Sequence, residues 1–197
     1  GDGGALYISS DNVALQNINL SDNVAGDDGG AIFWEGNNGL MYNITSTNNR
    51  GISRNTSSTR GGAICLTGDD VTISQSSFSS CYAYMDDGKD SSKVDGGAIF
   101  ATGNGVIIRD VTFNDCNSTN SGGALHVIGN HTQIINCVFD NCRSKDGAAL
   151  FVNGTDCKLY DSKFSNNIAD DDGGAIFWEG DNGLMYNITC TNNKGIS

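Results

Sequence analysis

Residues 96–101 read Gly96-Gly97-Ala98-Ile99-Phe100-Ala101, and the chain returns to this phrase, or to a close variant, seven times. The copies begin at Gly3, Gly29, Gly61, Gly96, Gly122, Gly147 and Gly173, with steps of 26, 32, 35, 26, 25 and 26 residues. Self-similarity at this period marks a repeat architecture, in which a unit too small to bury a core alone is stabilised by the unit stacked on it.

With the first glycine of each copy as position zero, apolar residues fall into columns. Position three is Leu6, Ile32, Ile64, Ile99, Leu125, Leu150 and Ile176. Position twelve is Leu15, Met41, Ile73, Ile108, Ile134, Leu159 and Met185, and position seventeen is dominated by Phe78, Phe113, Phe139 and Phe164. The apolar positions pair two apart, at three and five, ten and twelve, fifteen and seventeen, which is one face of a β-strand. Three short strands per repeat, separated by Gly, Asn and Asp turns, predict one triangular coil per copy. Positions five and ten also trade volume. Trp34 and Trp178 at position five face Gly39 and Gly183 at position ten, whereas smaller residues at five mostly accompany Val at ten. Such compensation is expected of a close-packed interior.

The chain has 197 residues, 27 Gly, no Pro and a net charge of −12. That balance argues against nucleic acid and anionic membrane surfaces, both of which demand a basic patch. No apolar run is long enough for a membrane helix. The chain opens inside a repeat with no leader, which reads as an excerpt of something longer. Seven cysteines and two histidines (His126, His131) occur without metal-site spacing, so neither metal nor cofactor is expected.

Position twenty alternates between Asn and Cys: Asn23, Asn49, Cys81, Cys116, Cys142, Asn167 and Asn193. Stacked Asn side chains can bond rung to rung. The three consecutive cysteines read as packed thiols, with a Cys81–Cys116 or Cys116–Cys142 disulfide as the alternative. The glycine pair reads as a corner requiring positive φ or close passage to the next rung. Asp2, Asp28, Asp95, Asp146 and Asp172 precede it. They are expected to close Asx-type turns, with a Ca²⁺ ladder as the alternative.

Rungs vary in length at one corner, after position twenty. Two connectors are long, residues 50–60 and 82–95, and lie on adjacent rungs, so they should protrude side by side. Insertions in solenoids gather on one face and often carry recognition. Tyr82, Tyr84, Met85, Asp86, Asp87 and Asp90 are therefore the candidate contact residues, against the alternative of a tolerated insertion. Position four forms a further column, Tyr7, Phe33, Cys65, Phe100, His126, Phe151 and Phe177. Strand alternation turns it outward, to be covered by a loop or a neighbouring subunit, or used to stack on sugars. A shifted phase, with Ala at two and the aromatic at four both inside, is the alternative. Seven Asn-x-Ser/Thr sequons, at Asn19, Asn43, Asn55, Asn117, Asn130, Asn153 and Asn187, are candidate glycosylation sites. Asn55 and Asn117, on the corner loops, are expected to be the most accessible.

A longer period overlies the rungs. Residues 27–53 and 171–197 match at 24 of 27 positions, and upstream of residue 27 the match collapses. Residues 27–170 thus read as one duplicated five-rung unit within a single solenoid over 1–197, and 171–197 as the start of the next copy. Near-identical copying suits a stalk or array more than an active site.

The Gly-Gly-Ala-Ile/Leu motif followed by Phe-x-x-Asn, complete at Phe164 and Asn167, resembles the polymorphic outer-membrane-protein repeat. Phe78, Phe113 and Phe139 keep the Phe but place Cys where that repeat has Asn. The GGAIFWEG…NGLMYNIT…TNN run is similar to the very large adhesin-like surface proteins of methanogenic archaea. The resemblance implies an all-β, right-handed parallel β-helix of pectin-lyase-like shape, about seven rungs long, on a secreted or surface-anchored protein. It transfers no catalytic residues.

The leading expectation is an extracellular adhesin-like stalk or fibre mediating cell–cell or cell–surface attachment, and not an enzyme. Its expected partners are neighbouring copies of the repeat, in the same chain or end to end, and partner-cell surfaces or glycans. A head-to-tail filament subunit is an alternative, because cut β-helix ends expose strand edges. A polysaccharide lyase or hydrolase is another, on the shape alone. Asp69 and Asp70 would be its carboxylate pair, but they occupy the turn column that elsewhere holds Asp11-Asn12, Asn37-Asn38 and Asp181-Asn182.

Overall fold

The computed structural model describes residues 1–53, 58–85 and 93–196. Every strand pairing among them is parallel, and each joins equivalent positions of successive rungs. In the first sheet Ile32 sits opposite Leu6 on one side and Ile64 on the other, and Ile64 in turn opposes Ile99. The same register carries Leu15 to Met41, Ile73, Ile108, Ile134, Leu159 and Met185 in the second. The molecule is a parallel β-helix solenoid.

Among the described residues three sheets run along the axis, of seven, twelve and seven strands, and a two-stranded sheet is added beside them. The first is built from position three to five of each rung, beginning with Leu6–Ile8 and ending with Ile176–Trp178. The second combines the strands around positions twelve and seventeen, which fuse into single eight-residue strands at Ala14–Ser21 and Leu40–Thr47. The third lies just past position twenty, where the sequence pattern shows only a corner. It comprises Val24–Ala25, Arg50–Ser53, Tyr82–Met85, Asn117–Ser118, Arg143–Ser144, Ile168–Ala169 and Lys194–Gly195. These strands have two to four residues, too few for apolar alternation to reveal. The long connectors return side by side as expected, with Thr59–Arg60 pairing in parallel with Val94–Asp95.

Corners recur every five residues. Positions nine, fourteen and nineteen hold one left-handed residue in every rung, with φ between 47° and 66°. Position fourteen, for example, is Asn17, Asn43, Gln75, Asp110, Asn136, Asp161 and Asn187. Asn and Asp dominate because they tolerate that conformation best among residues with a side chain. The first glycine of each pair is left-handed too, at φ 56–72°. The second faces a different constraint: a Cβ on Gly30, Gly62 or Gly97 would collide with the carbonyl of Gly62, Gly97 or Gly123 in the next rung.

The core is one continuous cluster along the axis, fed by positions three, five, ten, twelve and seventeen. Phe78, Phe113, Phe139 and Phe164 stack through it with ring centroids 5.4, 4.8 and 4.6 Å apart and nearly parallel planes. Each such pair contributes about 0.5–1.5 kcal/mol beyond its burial. The volume trade is also real. A Cβ on Gly39 would run into the indole of Trp34, and one on Gly183 into that of Trp178. The Trp34 Nε1–H, fully buried, donates to the Gly36 carbonyl at 2.7 Å.

Position twenty works as a polar ladder inside this core. Asn49 accepts from the Asn23 amide through Oδ1 at 2.9 Å and donates Nδ2 to the Leu20 carbonyl at 2.8 Å. Asn193 repeats the arrangement, accepting from the Asn167 amide through Oδ1 at 3.0 Å and donating Nδ2 to the Phe164 carbonyl at 2.9 Å. Where Cys116 stands instead, its Sγ–H reaches the equivalent Phe78 carbonyl at 3.6 Å. The cysteines of this ladder are free. Thiol thus replaces amide as donor to the equivalent backbone group.

Candidate functional site

The third sheet carries the surface most suited to recognition. Its outward column at position 21 reads Val24, Arg50, Tyr82, Asn117, Arg143, Ile168 and Lys194, each beside the next in the ladder. Beside it, at position nineteen, runs the left-handed corner column that includes Asn48, Ser80, Asp115 and Asn141. Between the two lies an open furrow of about 640 Å³, within the range of small-ligand sites. Tyr82, Tyr84, Arg50, Asn48, Asn117 and Thr119 are among the residues that line it. The furrow continues along the same face as two smaller hollows, about 190 and 460 Å³. The first is lined by Asn117 and Arg143, the second by Asn141 and Lys194, and Ile168 borders both.

Local sequence explains the orientation. Tyr82 and Tyr84 are two apart on one strand and so share a face, while Ala83 between them is buried against the coil. The Tyr82 hydroxyl donates to Asp115 Oδ2 at 3.2 Å, and the Ser80 hydroxyl reaches the same oxygen at 3.1 Å. Burial and the adjacent Asp115 carboxylate raise the Tyr82 phenol above its ordinary value. The Arg50 guanidinium donates to Asn48 Oδ1 at 2.8 Å, which holds it over the furrow wall.

Of the expected contact residues, Tyr82 and Tyr84 line the furrow, and Met85 lies half-buried in the same strand without lining it. Asp86, Asp87 and Asp90 fall outside the described residues, as does the sequon at Asn55. Asn117 was expected among the most accessible sequons. It is instead half-buried on a furrow strand, whereas Asn19, Asn43, Asn130, Asn153 and Asn187 are exposed. The amide nitrogens of Asn43 and Asn187 are engaged by the rung below, donating to Asn17 and Asp161 at 2.7 Å. Arg50, Asn48, Ser80 and Asp115 were missed as furrow residues. The signal for them was the five-residue corner rhythm, which continues past position twenty into a further strand.

One other column behaves differently from expectation, and another follows it. The Asp column before the glycine pair does not close turns onto its own backbone. The carboxylates of Asp2, Asp28, Asp95 and Asp146 reach the next rung: Asp28 Oδ1 accepts the Arg60 amide at 2.8 Å, and Asp146 Oδ1 accepts the Asp172 amide at 3.3 Å. The chain advances one rung per repeat, which brings the next amide over the carboxylate. No group of His, Cys, Asp and Glu among the described residues is placed to hold a metal ion. The position-four stripe does face away from the core cluster, as alternation requires, while Ala at position two lies inside it. It is open at Tyr7, 53% exposed, and half-buried at Phe177, but its middle is covered. Arg60 lies over the Phe100 ring at 5.2 Å, and Asp95 Oδ1 stands 3.5 Å from His126 Nδ1. The strands that end the two long connectors thus supply the covering.

Asp69 and Asp70 serve the turn. Asp69 Oδ1 accepts the Asn104 amide at 2.7 Å, and Asp70 is the left-handed corner residue. The same ladder joins Asn37 to Asp11 and Thr155 to Asn130.

The comparison with known families finds a Chlamydia polymorphic membrane protein repeat at residues 161–177. That segment runs from Asp161 through Phe164 and Asn167 to Gly173-Gly174-Ala175-Ile176-Phe177, the one place where the Phe-x-x-Asn and Gly-Gly-Ala-Ile elements both occur intact. No curated protein and no solved structure matches the chain. No helix among the described residues is long and apolar enough to cross a membrane.

Proposed function

We propose that this chain is a length of extracellular, surface-attached shaft with an adhesin-like role, contacting partner cells or glycans through the furrow on its third sheet. The observation that carries this reading is the unbroken register of seven rungs, joined to a repeat of the polymorphic-membrane-protein kind. A solenoid of this build gains length by adding rungs without a new core design. The duplication of 27–53 as 171–197 agrees with growth by whole five-rung units. The similarity to methanogen adhesin-like proteins belongs to this proposal and supports the same location. The turn roles of Asp69 and Asp70 favour a shaft over a polysaccharide-cleaving enzyme, and the filament reading has no observation of its own. The test is immunolabelling of intact cells of the source organism with antibody against the 197-residue chain, alongside competition of cell attachment by the free chain. Surface labelling with reduced attachment is expected. Labelling only after permeabilisation would overturn the proposal.

A further inference from the structure

The furrow has a chemistry and a pitch, and together they define a ligand. Its main hollow presents more apolar than polar surface, and amides and hydroxyls are set along it and its continuation, Asn48, Ser80, Asn117, Thr119 and Asn141 among them, which both donate and accept hydrogen bonds. One stretch adds phenol rings, from Tyr82 and Tyr84. Formal charges are few and mixed. Arg143 is neutralised by Asp170 at 2.8 Å, and Asp115, which lines the adjoining smaller hollow, accepts from the Tyr82 and Ser80 hydroxyls. The chain as a whole carries −12, so a polyanion approaching it is repelled at long range. These groups recur at the rung spacing of about 4.8 Å, because parallel strands lie that far apart. One sugar residue of an extended polysaccharide advances its chain by about the same distance.

We propose that the furrow on the third sheet binds a linear, electrically neutral glycan laid along the solenoid axis, one sugar residue per rung. The pyranose face packs on Tyr84 and Tyr82, and its hydroxyls bond the Asn and Ser/Thr columns. The two near-identical segments keep this chemistry. Arg50 becomes Lys194 and Asn48 becomes Asn192, so the charge and the amide recur in the second copy. The inference rests on the surface-shaft reading and names its ligand.

Isothermal titration of the 197-residue chain tests it. The probes are linear neutral oligosaccharides of the gluco-, manno- and xylo- series, from disaccharide to hexasaccharide, with polygalacturonate as the acidic comparison. For at least one neutral series, affinity should rise with chain length as successive rungs are occupied, then level off, and should hold between low and high salt. Tyr84→Ala should weaken binding at least tenfold. Thr47→Trp, which fills the furrow from its exposed rim, should do the same. Circular dichroism melts confirm that both variants fold, and either folded variant suffices. No binding to any neutral series, binding to polygalacturonate alone with loss in salt, or binding untouched by both substitutions overturns the proposal. Surface labelling of intact cells is scored separately. A furrow that binds nothing on a surface-exposed chain refutes the ligand and leaves the shaft standing, whereas an internal chain refutes the shaft.

Discussion

Gly39 is invisible to turn chemistry as a core residue, yet its missing side chain is what admits Trp34. Gly39→Ala should cost about 1–3 kcal/mol through overpacking, and Trp34→Ala about 3–5 kcal/mol through the cavity it leaves. Both are read from the shift in urea midpoint at constant slope, and a neutral Gly39→Ala would show that the indole has room to move. Asp28 makes a second prediction at this scale. Its burial lifts the carboxyl from the ordinary 3.8 to about 6; the Arg60 amide bond opposes this and the neighbouring Asp27 charge adds to it. A folded-state value above the unfolded one means the folded chain holds the proton more tightly. Stability from this group therefore falls as pH rises through the interval from 3.8 to about 6, and stays lower above it. Asp28→Asn keeps the acceptor for the Arg60 amide and removes the charge. It should melt above the parent chain at pH 7 and together with it near pH 4; equal melting at both would refute the buried charge.

At the scale of the element, the stacked columns are unequal. Asn49→Ala would strand the Leu20 carbonyl and the Asn23 amide, and each buried polar group left without a partner costs about 1–3 kcal/mol. Cys116→Ala removes one long, weak donor and should cost less, which a paired set of urea titrations measures. The cysteines also predict reactivity. Burial pushes the Cys137 thiol up to about 12, and Cys65 and Cys116 well above the usual range. For Cys81 the Cys116 side chain is the larger cause and burial the second. Only the thiolate attacks, so maleimide at pH 7 should modify Cys190, the exposed member of the seven, and spare the other six until the chain unfolds. Mass spectrometry counts the adducts, and rapid modification of Cys81, Cys116 or Cys142 would mean that ladder opens. The strands around positions three to five and ten to seventeen were legible because apolar residues at period two recur there in most rungs. The third sheet was not. Its strands are too short to show a pattern, and their inward residues, Ala25, Gly51, Ala83, Ser118, Ser144 and Ala169, are small rather than recognisably apolar.

For the whole molecule, stability is a sum over neighbouring rungs rather than over one globular core. Within the 197-residue chain the middle rungs are covered on both sides, and the rung that starts at Gly173 is covered on one. Hydrogen exchange should therefore grade along the axis, slowest in the second-sheet strands Ile107–Arg109 and Gln133–Ile135 and fastest in Leu184–Tyr186. Uniform protection from end to end would show a single cooperative unit instead. The furrow belongs to this scale as well, since no single rung contains it.

The repeat sequence by itself determined the coil, its register and the chemistry of its corners, because Gly-Gly, the Asn and Asp turns and the period-two apolar pairs are local constraints renewed in every copy. It also determined that Tyr82 and Tyr84 would stand at the variable corner. Tertiary structure alone decided what each copy experiences. Met41 and Met185 occupy the same position in segments identical at 24 of 27 residues, yet Met41 is fully buried and Met185 is 45% exposed. It likewise covered the middle of the aromatic stripe with Arg60 and aligned Arg50, Tyr82 and Asn117 beside one furrow. The physical reason is the same in each case: burial is conferred by the rung above and the rung below, which lie 25 to 35 residues away in the chain, and no local pattern records whether they are there.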